Sequence, residues 1–177
     1  MTLQGLLALL AQRPEFRRLL EELRKGEGLP ALTGVTEAAR PYVIAALAKA
    51  LKQPFLVVVD DEAQANQMVE SLKVFVEQPN DVLCLPDRDA LPYERLISDA
   101  LTMQKRMQAM IALVEQERDV IAVCSARALT QPVMPPQELS AALYTLQVGH
   151  EVDLTLMLEH LFKLGYEPVA EVEEPGQ

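Results

Sequence analysis

The segment Thr33-Gly34-Val35-Thr36-Glu37-Ala38-Ala39-Arg40-Pro41 follows a short apolar run and precedes a helical period, where a phosphate-binding loop of pattern G-x-x-x-x-G-K-[ST] would work. Gly34 falls on the first glycine of that pattern. Ala39 then takes the place of the second glycine, Arg40 that of the lysine and Pro41 that of the hydroxyl residue. Each change damages the chemistry for its own reason. Ala39 brings a Cβ to a place where glycine allows positive φ, and Glu37 sets a carboxylate beside a cradle built for anions. Arg40 keeps charge but not the compact ammonium. Pro41 lacks both the hydroxyl for Mg²⁺ and a backbone N–H. The reading is a degenerate loop, marked by Gly34, Thr36, Ala39, Arg40 and Pro41, that binds no cofactor.

Other residues invite chemistry and carry it less well. Leu56-Val57-Val58-Val59-Asp60-Asp61-Glu62 has the form of an apolar strand ending in acids that could hold Mg²⁺. It follows the loop-bearing helix directly, and the simpler expectation is that Asp60 or Asp61 caps the helix starting near Glu62. Cys84 and Cys124 each close an apolar run, as small buried thiols do, and His150 and His160 lie far from both along the chain, so no metal site is expected. His160 has no serine or cysteine in a nucleophile-elbow context, which leaves a catalytic triad unsupported. The acids Asp87, Asp89 and Glu94, with Arg88 and Arg95, fall in a loop after a strand and read as solvated. The run Leu91-Pro92-Tyr93-Glu94 stiffens that loop at the carboxyl end of the strand, where α/β folds build their sites.

The elements that must position these groups follow from periodicity. Leu3, Leu6, Leu7 and Leu10, then Phe16, Leu19, Leu20 and Leu23, form the stripes of two amphipathic helices separated by Pro14 and ended by Gly26 and Gly28. Apolar runs at Pro30-Ala31-Leu32, Phe55 to Val59, Val82 to Leu85 and Val120 to Cys124 alternate with helical periods at 40–52, 62–77 and 99–116. Continuous apolar strands joined by helices predict a three-layer α/β domain around a parallel sheet covered on both faces. Pro132, Pro135 and Pro136 interrupt this order and mark a boundary. Beyond it the pattern predicts a strand at Leu143–Val148, a turn at Gly149, a helix capped by Asp153 and closed by Gly165, and a strand from Tyr166 to Val172. The expected organisation is an N-terminal helical segment 1–28, an α/β domain 29–135, and at 136–177 the start of a small α+β domain, truncated.

The chain has 177 residues, a formal charge of -10 and 50% hydrophobic residues, which predicts a core-forming protein and excludes collagen-like, low-complexity and disulfide-scaffold classes. Residues 151–177 hold seven acids against Lys163, so they carry -6 of that charge. An acidic balance argues against strong nucleic-acid binding by this chain alone, since phosphate backbones are held by Lys and Arg. Apolar residues near the start lack a basic region ahead of them, so the sequence reads as cytoplasmic with no membrane segment.

Leu32-Thr33-Gly34-Val35-Thr36, Phe55 to Asp60, Leu85-Pro86-Asp87, Leu91-Pro92-Tyr93-Glu94, Arg106, Ala126-Arg127-Ala128-Leu129, Val148-Gly149-His150-Glu151 and Leu164-Gly165-Tyr166-Glu167-Pro168-Val169 together carry a resemblance. So does Val172-Glu173-Glu174-Pro175-Gly176. Over about Gly28 to Gln177 the chain resembles the N-terminal, UvrB-like module of bacterial transcription-repair coupling factors, the Mfd family. Leu96-Ile97-Ser98-Asp99 departs from the Ser-Pro often found there. The resemblance implies a P-loop NTPase or helicase-like fold without a working nucleotide site. It also implies a parent protein that is an ATP-dependent DNA translocase, with ATP and Mg²⁺ used in a downstream motor. The implied partners of that parent are UvrA, RNA polymerase and double-stranded DNA, and those of this part are intramolecular contacts within the parent. The family's UvrA-docking residues fall after the Glu-Pro-Gly run and are expected beyond Gln177. The rival expectation is a divergent nucleotide-binding enzyme or regulator using Asp60 and Asp61 with Mg²⁺.

Overall fold

The computed structural model describes residues 3–26, 28–88, 99–115, 119–169 and 171. Expectations placed on Asp89, Tyr93, Glu94, Arg95 and the Glu173-Glu174-Pro175-Gly176 run lie outside the described residues. The chain divides into two compact units, Met1–Pro132 and Val133–Gln177.

In the first unit, α1 (Leu7–Ala11) and α2 (Pro14–Lys25) come first, with Pro14 at the start of α2, where a missing N–H costs nothing. Gly26 closes α2 at φ +65°, a left-handed cap that glycine adopts without a Cβ penalty. Leu7 and Phe16 are buried in the same core as Ala45 and Ala48 of α3 (Arg40–Leu51). Polar contacts fix this helical segment as well: Tyr42 Oη donates to the Leu6 carbonyl at 2.5 Å, and Gln4 Nε2 to that of Val76 at 2.7 Å.

Next come β1 (Phe55–Val59), α4 (Glu62–Lys73), β2 (Val82–Leu85), α5 (Ala100–Glu115), β3 (Ile121–Ser125) and the short α6 (Ala126–Thr130). The three strands form one parallel sheet in the order β1-β3-β2, with Val57 and Cys84 both opposite Val123. Alternation of side chains sends Phe55, Val57, Val59, Val82, Cys84, Ile121 and Val123 to the core they share with α3 and α4. Leu83, Leu85 and Cys124 go to the opposite face, where Ala109 and Met110 of α5 and Ala128 of α6 meet them. β3 is buried at every residue, as a central strand between two helical layers should be.

Two expectations for the sheet fail. Pro30-Ala31-Leu32 forms no strand: Pro30 lacks an N–H to donate, and Leu29 and Leu32 stand 99% and 49% exposed, so burial offers nothing to hold the triplet in a ladder. The sheet is also not covered on both faces throughout. Leu56 and Val58 of β1 are 45% and 46% exposed, because α5 packs with β2 and the centre of the sheet rather than over β1.

The second unit contains α7 (Pro136–Ala142) and α8 (Leu154–Lys163). Pro136 interrupts no helix but opens one. Asp153 caps α8, its Oδ1 accepting from the N–H groups of Thr155 at 2.9 Å and Leu156 at 3.2 Å, and Gly149 and Gly165 both adopt positive φ. The expected strands at 143–148 and from Tyr166 do not form among the described residues, so this part is helical where an α+β start was predicted. A strand gains its hydrogen bonds only from a partner, and no described segment of this unit supplies one.

Candidate functional site

The loop that resembles a phosphate cradle folds differently from one. Gly34 sits at φ +77°, Thr36 is extended, and Glu37–Ala39 forms a single 3₁₀ turn leading into α3. Ala39 N–H donates to the Thr36 carbonyl at 3.0 Å, and Ala39 itself lies in the right-handed region, so its Cβ is unstrained there. The Arg40 side chain is exposed while Pro41 is buried at the first turn of α3. One amide of this turn is therefore spent on the turn's own closure, and the position of the metal-holding hydroxyl is a ring packed into protein.

Asp61 is the N-cap of α4. Its Oδ1 accepts from Gln64 N–H at 2.8 Å and its Oδ2 from Gln64 Nε2 at 3.3 Å, so both carboxylate oxygens are engaged locally. Asp60 is exposed beside it. Replacing both acids by alanine should cost about 1 kcal/mol, the worth of one cap, in urea unfolding and leave any ligand binding unchanged. A site that used them to hold Mg²⁺ would instead lose binding altogether.

Both cysteines are free; Cys124 is buried and Cys84 partly so. Burial pushes both thiols up from their usual pKa, with Glu62 adding to the rise at Cys84. Thiolate is thus disfavoured at neutral pH, which suits packing rather than nucleophilic chemistry. The ring of His160 lies 3.4 Å from the Ala142 carbonyl and 5.5 Å, centroid to centroid, from that of Tyr144, so it anchors the second unit internally. Among the described residues no group of three or more His, Cys, Asp or Glu side chains converges on a metal position, and no helix is long and apolar enough to cross a membrane.

The densest polar constellation stands at the carboxyl ends of β2 and β3, and it corrects the reading of Asp87 and Arg88 as a solvated loop. Ser125 Oγ donates to Asp87 Oδ1 and accepts from Ala128 N–H at 2.8 Å, capping α6. Arg127 Nε approaches Asp87 Oδ2 at 3.8 Å. Arg106, reaching over from α5, is only 2% exposed. Its Nη1 donates to the Pro86 carbonyl at 2.5 Å and to Gln131 Oε1 at 3.1 Å, and that same Oε1 accepts from Arg88 N–H at 2.9 Å. Burial, then the neighbouring Arg88, lowers the Arg106 pKa, and Asp87 works against them. Asp87 thus has Arg127 at ion-pair distance and Arg106 within electrostatic reach, at the edge where parallel α/β sheets place their sites. Periodicity did not reveal this cluster, because its members lie on separate elements. The signal was the presence of Pro86-Asp87, Arg106 and Arg127 among the residues that carry the resemblance.

The class of protein is therefore an α/β module with helices on both faces of a three-stranded parallel sheet and a buried arginine at the carboxyl ends of its strands. No family model matches the chain. Its relatives are transcription-repair-coupling factors and UvrB proteins. It is 30% identical over 166 aligned positions to the transcription-repair-coupling factor of Myxococcus xanthus, which covers 91% of this chain and 14% of that protein. It is 31% identical over 181 positions to that of Mycobacterium tuberculosis, covering 98% and 14%. The UvrABC system protein B of Thermosipho africanus is 28% identical over 178 positions, covering 93% and 26%. The chain thus spans 14% to 26% of the length of these relatives, and over about nine-tenths of its own length it is homologous to both kinds, as the UvrB-like module of a coupling factor is.

Proposed function

We propose that this chain is a non-catalytic interaction module of a transcription-repair coupling factor. In this reading the parent is an ATP-dependent DNA translocase that displaces stalled RNA polymerase at lesions and recruits UvrA for nucleotide excision repair. The observation that carries the reading is homology to coupling factors along nearly the whole chain, coinciding with a phosphate-loop position occupied by Ala39, Arg40 and a buried Pro41. The P-loop or helicase-like fold class belongs to the same proposal, supported by the parallel sheet and by similarity to a UvrABC system protein B. The net charge of -10 fits a part that does not itself grip DNA. The rival, a nucleotide-binding regulator using Asp60 and Asp61 with Mg²⁺, gains no support from an Asp61 whose oxygens are both engaged by Gln64.

Titration with a fluorescent ATP analogue and Mg²⁺ tests the proposal. No saturable binding is expected up to millimolar nucleotide. Micromolar, Mg²⁺-dependent binding that disappears in Arg40→Ala would overturn it.

A further inference from the structure

Gln131 is the last residue before Pro132, where the first unit ends. Its side-chain Oε1 accepts two hydrogen bonds from separate elements: from Arg106 Nη1 of α5 at 3.1 Å and from the backbone N–H of Arg88, just past β2, at 2.9 Å. Its own N–H donates to the Ala128 carbonyl at 3.2 Å and closes the last turn of α6. That helix, Ala126–Thr130, is too short to hold by itself. One amide oxygen therefore joins the exit of β2, the middle of α5 and the point where the chain leaves the first unit.

The restraint stops there. Pro132, Val133, Met134 and Pro135 are all exposed before Pro136 opens α7, and the prolines at the two ends of that segment fix φ and make it a stiff spacer. A stiff spacer passes on the direction set at its root. That root is held with moderate strength, because a neutral amide faces a guanidinium where a carboxylate would make charge-assisted bonds. Arg106 has capacity to spare, since its Nη2 is buried without a hydrogen-bond partner. Of the groups that act on Arg106, Arg88 is cationic and Asp87 anionic, so with Arg106 itself the local balance favours an acid at position 131.

We propose that Gln131 is a conformational latch between the strand ends and the second unit. With its amide seated on Arg106 and Arg88, the exit from the α/β unit is fixed and the second unit turns with the first. With the amide withdrawn, the last turn of α6 loosens and the second unit turns on its own. Gln131 is thus a positioning residue. Because Arg88 shares its oxygen, a displacement of Arg88 at the end of β2 is felt at the boundary.

Amide hydrogen exchange and NMR relaxation of the whole chain test this, with the Arg88 amide reporting the latch and the α8 amides the freedom of the second unit. In Gln131→Met, Arg88 exchange should speed up about tenfold, as for the loss of one hydrogen bond, and the rotational correlation time of α8 should fall relative to that of α4. In Gln131→Glu both should move the opposite way, with slower exchange and a correlation time closer to that of α4. Should Gln131→Met not fold, the Gln131→Glu result alone decides. Unchanged Arg88 exchange in both variants overturns the proposal. So does faster exchange in Gln131→Met with the ratio of α8 to α4 unchanged, which would make the bond a local one. Equal acceleration at Leu72, completely buried on α4, overturns it as well, since the amide would then serve the whole fold.

Discussion

Replacing Arg106 by methionine should lower the free energy of unfolding by about 3 kcal/mol, within the range for breaking a buried charged network. Methionine fills most of the space of the arginine stem with a flexible apolar chain, so the loss reports the guanidinium rather than a cavity. The guanidinium bridges the exit of β2 at Pro86 and the segment after α6 at Gln131, and offsets the charge of nearby Asp87. Without it the Pro86 carbonyl loses its donor in a buried place, at about 1–3 kcal/mol, and Asp87 keeps the Ser125 hydroxyl and a distant, largely exposed Arg127. An opposing effect exists. Arg106 is desolvated beside Arg88, and a buried ion can cost more than it returns. The two hydrogen bonds from Nη1 and the proximity of Asp87 decide the balance in favour of the wild type. Urea unfolding checks this, and a loss under about 1 kcal/mol would mean that desolvation cancels the clamp. Double substitution of Arg106 and Asp87 should then cost less than the sum of the single changes, since each removes the reason for the other.

Long apolar runs and caps were legible in the sequence, while partnerships were not. Phe55–Val59 and Ile121–Ser125 announce themselves as unbroken runs suited to a parallel sheet, though only the second is buried at every residue. Asp61 and Asp153 announce themselves because a carboxylate just before a helical period has N–H groups to accept from. Pro30-Ala31-Leu32 and Leu143–Val148 have strand-like composition yet form no strand, because a ladder depends on a partner that composition does not name. Pro132, Pro135 and Pro136 mark a boundary, and the two compact units part at Pro132; what the prolines did not announce is that Pro136 also opens α7. At Ala39, Arg40 and Pro41 the sequence contradicts three chemical needs of a phosphate loop, and folding adds that Pro41 is packed at the first turn of α3. The Arg106 clamp was not visible, because it joins Pro86, Asp87, Ser125 and Gln131 from separate elements, and only folding makes them neighbours.

The sheet's two faces should respond very differently to substitution. Leu72 of α4 is completely buried and belongs to the core that joins α3, α4 and the strands. Leu72→Ala should cost about 3 kcal/mol, the sum of lost transfer energy and a cavity that helices anchored on both sides cannot close. Val58 lies on β1 with its side chain on the other face, 46% exposed. Val58→Thr keeps the branched shape that suits a strand and places a hydroxyl where water already reaches, so its effect should stay within about 0.5 kcal/mol. Urea unfolding of the two variants tests whether the uncovered strip at Leu56 and Val58 is open in solution. If Val58→Thr cost as much as a core substitution, that strip would have to be covered. A matching fall in sedimentation coefficient would identify self-association as what covers it. An unchanged coefficient would place the cover within the chain.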